Sequence, residues 1–315
     1  MMNNENKQKN FVSAVIYVHN NACEIVPFVK VVASVLETNF EKSEIICVND
    51  FSSDDSVLKI KRLCTEISNV CISILNMSFF HGVEVAMTAG VDLAIGDFVF
   101  EFDSATLDFE ASEIMKVYRK SLEGFDIVSA SPNKTIRTSS RFFYSIFNRF
   151  ANLNYKMTTE RFRILSRRVI NRISTINRTM PYRKPVYAAC GLKTASLTYI
   201  TTAKVSEPED YFIKKYRLAL AEDSLIIFTN LGYGFSMAIS FAMLVFTLGV
   251  GIYSLVYRLL KNPISGWTST ILLISTTMFF VFALLTIVLK YLQILVNLVF
   301  KKERYCFDSI DKLTK

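Results

Sequence analysis

The chain has 315 residues, 51% of them hydrophobic, and a formal net charge of +8. That length exceeds one minimal domain and leaves room for a sizeable core plus an appendage. Its mean hydropathy of +0.31 is high for a soluble protein. Six cysteines (Cys23, Cys47, Cys64, Cys71, Cys190 and Cys306) show no metal-ligand spacing and read as reduced core residues of a cytosolic domain.

In chain order, Met1 to Asn10 is polar, so no signal peptide is expected. Phe11 to His19 is apolar and β-branched and predicts a strand, with Asn20-Asn21-Ala22 as the turn after it. Glu24 to Glu37 has helical spacing at Ile25, Phe28, Val29, Val32 and Leu36. A second strand, Glu44 to Val48, ends in Asn49-Asp50, and Ser52-Ser53-Asp54-Asp55 supplies N-cap residues, Asp54 among them, for a helix through Cys64. A strand over Val70 to Leu75, a helix over Glu84 to Ala94, the strand running to Asp103, a helix over Ala111 to Leu122 and a strand over Asp126 to Ser129 follow. Strands alternating with helices predict parallel pairing with right-handed crossovers, an α/β doubly wound, mostly parallel sheet.

The apolar excess is local. Ser224 to Tyr257 and Asn262 to Leu289 carry no charged residue, and each run exceeds the roughly 20 residues that cross a bilayer. They predict two C-terminal transmembrane helices, preceded by a helix over Asp210 to Ala221 lying on the membrane surface. Between Val128 and Val205 there are fifteen Lys or Arg and one acid, Glu160. Such a block beside membrane helices faces anionic headgroups, phosphate ligands or both, and argues against nucleic acid as a partner. The expected organisation is a cytosolic domain over 1–205, a juxtamembrane segment over 206–231, a transmembrane pair over 232–300 and a basic cytosolic tail over 301–315. The expected location is the cytoplasmic membrane, multi-pass, with the first domain in the cytosol.

Ligands of open α/β sheets bind outside the carboxyl ends of the strands. His19-Asn20-Asn21, Asn49-Asp50 and Asp103 should therefore line one crevice. A nucleotide suits it, since carboxylates accept from ribose hydroxyls and base N–H groups. No GxGxxG fingerprint and no GKS or GKT phosphate loop occurs, which argues against a nicotinamide cofactor.

These residues resemble a known family. Val15-Ile16-Tyr17-Val18-His19-Asn20-Asn21 is similar to the VIPVYNE opening of family 2 glycosyltransferases, and Glu44 to Ser56 is similar to their EIIFVDDGSxDxT. Gly82, Glu84, Ala86, Thr88-Ala89-Gly90, Ala94 and Gly96-Asp97 match FGKEAAxTAGxxxAxGD. Phe143-Tyr144, Arg163 to Val169, Gly266-Trp267-Thr268-Ser269 and Lys301 to Tyr305 resemble motifs of the membrane-anchored branch, which includes bactoprenol-phosphate glucosyltransferases and dolichyl-phosphate mannose synthases. The resemblance runs from about Phe11 to Tyr305 and implies a GT-A fold. It also implies transfer of a sugar from a nucleotide-sugar to a polyprenyl phosphate, with inversion at the anomeric carbon, for cell-surface glycan assembly. Self-association into a homo-oligomer is implied as well.

The chain departs from the family pattern at ligand-contacting positions. The metal motif DADLQDPP reads Asp103-Ser104-Ala105-Thr106-Leu107-Asp108-Phe109, so its second Asp is Ala105. The Asp of GDFRL is Arg161, the Arg-Asn before FGKE is Phe79-Phe80, its Lys is Val83, and the Glu of YNE is Asn21. A divalent cation, Mg²⁺ or Mn²⁺, is the family's usual means of neutralising the diphosphate. Asp103 is left as its weak ligand, with Asp108 or Glu160 as helpers.

From the resemblance and its departures, Asp103 is expected as a catalytic group, with Arg161 and Arg163 compensating for the lost acids. The resemblance implies Tyr17, His19, Asn21, Asn49, Asp50 and Glu84 as donor-binding groups, and Arg183 and Lys215 as contacts to the lipid phosphate. Two readings stay open. In one, guanidiniums compensate for weakened metal binding and turnover persists. In the other, a degenerate homologue binds nucleotide or lipid phosphate and serves as a regulatory or scaffold subunit. Blander roles stand beside these: Asp103 as a turn acid, Arg161 as a solvated charge, His19 and His81 as ordinary strand-end residues, and Asp54 as a helix cap.

Overall fold

The structure is a computed structural model. It describes residues 7–67, 69–133, 138–150, 159–176, 182–202, 211–228, scattered positions between 238 and 249, 267–300 and 307–313. The elements in order are β1 (Val12–Val18), α1 (Ile25–Asn39), β2 (Ser43–Asn49), α2 (Ser56–Leu63), β3 (Cys71–Met77), α3 (Val83–Leu93), β4 (Phe98–Phe102), α4 (Ser112–Leu122) and β5 (Ile127–Pro132). There follow α5 (Thr138–Phe150), β6 (Phe162–Ser166), α6 (Arg167–Ile176), α7 (Arg183–Ala189), β7 (Thr194–Tyr199), α8 (Tyr211–Phe228), α9 (Trp267–Phe300) and β8 (Phe307–Lys312). The chain divides into two compact units. One comprises 1–149, 153–221 and 303–315, and the other comprises 150–152 and 222–302.

The first unit is built on one eight-stranded sheet of order β7-β5-β6-β4-β1-β2-β3-β8. The expected alternation is present from β1 to β5, and β1, β2, β3 and β4 pair in parallel. The sheet is nevertheless mixed. β6 enters antiparallel between β4 and β5, and β8 lies antiparallel on β3. The last residues, read from sequence as a basic tail, thus supply an edge strand.

The central strands are buried on both faces, which is why their sequences run apolar without clean alternation. On one face Val12, Ala14, Ile16 and Val18 of β1 join Phe28, Val32 and Leu36 of α1 and Val117 and Tyr118 of α4 in the main core. On the other face α3 lies close against the sheet at Gly90. A Cβ there would sit 2.4 Å from Val15 Cγ1 and 2.5 Å from Val48 Cγ2. The chain turns to β2 on one side of β1 and to β4 on the other, so the order of connections reverses between β1 and β4. The carboxyl ends of these two strands therefore flank a topological switch point, where a crevice opens.

In the second unit, α9 carries Lys290, whose Nζ lies 3.3 Å from Glu222 and 3.8 Å from Asp223 of α8. The expectation of two membrane spans and a multi-pass location in the cytoplasmic membrane is corrected here. Among the described residues, no helix is long and apolar enough to cross a membrane. A span needs roughly 20 consecutive apolar residues, and charged groups along it are costly. The first expected span, 233–257, falls mostly outside the described residues. The second, about 267–289, falls on α9 and ends just before Lys290.

Candidate functional site

Two clusters flank the switch point. The first gathers where β1 and β2 end. Asp50 follows β2 and is fully buried. Its carboxylate accepts from the Tyr17 hydroxyl at 2.9 Å and from the backbone N–H groups of His81 and Gly82, each at 2.8 Å. Its carbonyl oxygen meets His19 Nδ1 at 2.7 Å. One acid thereby ties β1, β2 and the loop after β3 together.

The turns here are tightly specified. Asn20 and Phe51 both have φ in the left-handed region, at 52° and 56°. Asn tolerates that conformation through its short polar side chain, whereas Phe is rare there. The Asn20 side chain accepts from Ser53 N–H, and Asn21 Oδ1 accepts from His19 N–H. Asn49 donates to Asn76 Oδ1 at 2.9 Å and accepts from Ser52 N–H at 3.1 Å. Asp54 accepts from Ala22 and Ser56 N–H groups. Burial would raise its carboxyl, but the hydrogen bonds from Ser56 and Ala22 hold it below the usual range.

An aromatic wall stands beside Asp50. His19 and Phe80 rings are 4.8 Å apart, and Phe80 meets the Tyr216 ring edge-on at 5.9 Å. Tyr216 of α8 lies directly over Gly82, which has φ +83°. A Cβ on Gly82 would meet that ring at 2.2 Å, so only glycine fits under it.

The second cluster is an ion-pair network at the ends of β4, β6 and α7. Glu101 of β4 is opposite Arg163 of β6 in the antiparallel register, and both are fully buried. Arg163 Nη1 donates to Glu101 at 3.0 Å and Nη2 donates to Asp103 Oδ2 at 2.6 Å. Arg163 Nε lies 3.3 Å from Glu160 without a hydrogen bond. Arg183, at the start of α7, donates from Nε to Glu84 at 3.0 Å, from Nη1 to Glu101 at 2.6 Å and from Nη2 to Asp103 Oδ1 at 2.7 Å. Its backbone N–H also donates to Glu84 at 2.9 Å. Tyr187 donates to Glu101 at 2.9 Å, and the Arg163 guanidinium lies over its ring.

Burial alone would raise the Asp103 carboxyl. The Arg163 and Arg183 charges outweigh it and hold the group far below the carboxylate range. The Tyr187 phenol moves up, through burial first and the Glu101 charge second. Alongside, Asp108 accepts from Arg161 Nε and from the Tyr199 hydroxyl, both at 3.0 Å.

The structure thus brings Tyr17, His19, Asn21, Asn49 and Asp50 together in one cluster. Glu84, Asp103 and Arg163 join in the other. Arg161 reaches Asp108 instead of Asp103. Arg183, read from sequence as a lipid-phosphate contact, is buried with its side-chain nitrogens turned onto three carboxylates. Lys215 is exposed on α8. Sequence reasoning missed Glu101 and Tyr187, and it noted Tyr216 only within the segment Lys214-Lys215-Tyr216, without a role at the site. The signal for Glu101 was present, as an acid inside the apolar strand Phe98–Phe102. Tyr187 comes from a distant chain position and carried no local signal.

The donor set does not suit a divalent cation. Such an ion takes several oxygens, typically six or more, at about 2.0–2.6 Å. Both Asp103 oxygens are held by guanidiniums, Ala105 is buried and apolar, and Asp108 is held by Arg161 and Tyr199. Among the described residues no group of three or more His, Cys, Asp or Glu could hold a metal ion.

Comparison with known proteins agrees with this architecture. The glycosyltransferase sll0501 of Synechocystis sp. is 33% identical over 156 residues, covering 48% of each chain. The prophage bactoprenol glucosyl transferase homolog of Escherichia coli is 26% identical over 201 residues, covering 62% of this chain and 65% of its own. The chain thus spans about half the length of the first and under two thirds of the second. Among solved structures, the mannosyltransferase PcManGT from Pyrobaculum calidifontis, in complex with GDP-Man and Mn²⁺, superposes with a TM-score of 0.51. It is 13% identical over 70% of this chain and 63% of its own, a likeness of fold. Residues 13–177, from β1 through α6, match Glycosyl transferase family 2, and the chain belongs to that family.

Proposed function

We propose that this glycosyltransferase moves a sugar from a nucleotide-sugar to a polyprenyl phosphate. The observation that carries the reading is the placing of the Asp50 and Asp103 clusters on either side of the switch point of a family 2 domain. The bactoprenol glucosyl transferase name of a relative supports the acceptor class.

In this reading the nucleoside lies by Asp50, Tyr17 and His19, where Asn21 and Asn49 fix the turns. The sugar and diphosphate lie toward Asp103. An oxygen of the acceptor phosphate attacks the anomeric carbon. The bond from that carbon to the diphosphate oxygen breaks, and the nucleoside diphosphate leaves with the electron pair. A phosphate monoester is already ionised near neutral pH, so the attack needs no strong general base. Arg161, with its side chain 31% exposed, is the guanidinium best able to turn toward the leaving diphosphate. Arg163 and Glu84 act by holding Asp103 and Arg183, and Lys215 is an outer contact for the acceptor phosphate.

The test is incubation of the full chain with a panel of labelled nucleotide-sugars and undecaprenyl phosphate. Sugar extracted with the lipid is the expected product, and Asp50→Asn and Asp103→Asn should each lower the rate at least about tenfold. The consumption of both Asp103 oxygens by Arg163 and Arg183 favours a second reading, a homologue that binds nucleotide and regulates a partner. Retained nucleotide binding with no product from any donor would select it.

A further inference from the structure

Each oxygen of the Asp103 carboxylate is already held by a guanidinium. Arg163 Nη2 stands 2.6 Å from one oxygen and Arg183 Nη2 stands 2.7 Å from the other. Both guanidiniums are almost fully buried, at 0% and 1% side-chain exposure, so they cannot swing into solvent to make way. Arginine does not lose its proton in a protein, so neither charge can be switched off. Three other acids border the same pair, with Glu101 bridged to both arginines, Glu84 to Arg183 and Glu160 3.3 Å from Arg163 Nε. A divalent ion at Asp103 would have to share each oxygen with a guanidinium and face two fixed positive charges at close range.

We propose that Arg163 and Arg183 are the built-in counter-ion of Asp103, and that this chain engages a nucleoside diphosphate without a divalent cation. The two arginines are positioning residues. They fix Asp103 through its two oxygens and occupy the place a metal would take. The ligand half of this inference rests on the nucleotide-sugar reading, whereas the counter-ion half is tested on the protein alone.

Mn²⁺ binding to the full chain is read by electron paramagnetic resonance, alone and with UDP, GDP or dTDP. The thermal shift given by each nucleotide is compared in Mg²⁺ and in EDTA. The expected result is an apparent nucleotide affinity that changes less than about threefold between Mg²⁺ and EDTA, with no protein-bound Mn²⁺ that Asp103→Asn removes. Stoichiometric Mn²⁺ lost in Asp103→Asn, or nucleotide binding abolished by EDTA, overturns the proposal. Should that variant fail to fold, anomalous scattering from Mn²⁺-soaked wild-type crystals decides instead. An ion against Asp103 overturns the proposal, and an ion elsewhere or none upholds it. If no nucleotide binds in either condition, the donor reading and the ligand half fail together, while the Mn²⁺ result still decides the counter-ion half.

Discussion

Asp103 shows how one side chain is governed by its neighbours. Its folded pKa is depressed, so its stabilising contribution is complete above the unfolded value of about 3.9 and is lost as pH falls below that toward the folded value. Asp103→Asn should therefore flatten the dependence of unfolding free energy on pH below about pH 4, measured by urea denaturation across an acid series. Near neutrality the same variant leaves two buried guanidiniums short of a partner and should cost about 3–5 kcal/mol.

Gly82 is the second residue whose role can be isolated. Alanine there must adopt φ +83° and push against the Tyr216 ring. The conformational part costs about 1–3 kcal/mol. Gly82→Ala should lose at least that in chemical denaturation. Adding Tyr216→Ala should recover only the steric share, a non-additivity that a double-mutant cycle reads directly.

At the level of elements, the seating of α3 on β1 and β2 decides the sign of a substitution that propensity alone would misjudge. Alanine is favoured over glycine inside a helix by about 1 kcal/mol. At Gly90 its methyl would meet Val15 and Val48 at 2.4 and 2.5 Å, both β-branched side chains on buried strands with few rotamers to yield. Overpacking of this kind costs about 1–3 kcal/mol. Gly90→Ala should accordingly lower stability, and Val15→Ala in the same chain should reduce the loss; a more stable single variant would refute the close seating of α3. The antiparallel pairing of β6 with β4 is the other decisive element contact. It sets Arg163 opposite Glu101 and places the rest of the network around them.

For the molecule as a whole, the sheet is closed at one edge by a strand more than two hundred residues away in sequence. β8 pairs with β3, Ser309 accepts from Asn76 at 3.0 Å, and Asp311 bridges Lys61 at 2.6 Å. Removing residues 307–315 would bare the β3 edge, which invites pairing with other chains. The truncated protein should melt roughly 5 °C lower and show concentration-dependent aggregation by light scattering. Nucleotide binding should persist, because Asp50 and Asp103 are held by other strands.

The alternation of apolar strands with amphipathic helices was written in the sequence from Phe11 to Ser129, and with it the parallel core and the acids at the strand ends. Local patterning suffices there because each βα unit buries its own face against the next. Family membership was legible too, through motifs spaced along that same stretch. The sequence could not say which charges would meet. Arg161 and Arg163 differ by two residues, yet one turns to Asp108 and the other to Asp103 and Glu101. Half of the Asp103 clamp comes from Arg183, eighty residues downstream. The fifteen basic residues between Val128 and Val205 read as facing anionic headgroups, phosphate ligands or both, but Arg163 and Arg183 are buried against carboxylates. Composition likewise suggested membrane spans that the described helices do not supply. Periodicity reports which side of an element is apolar; which buried charge finds which partner is decided only when antiparallel insertion and long-range packing bring them within hydrogen-bonding distance.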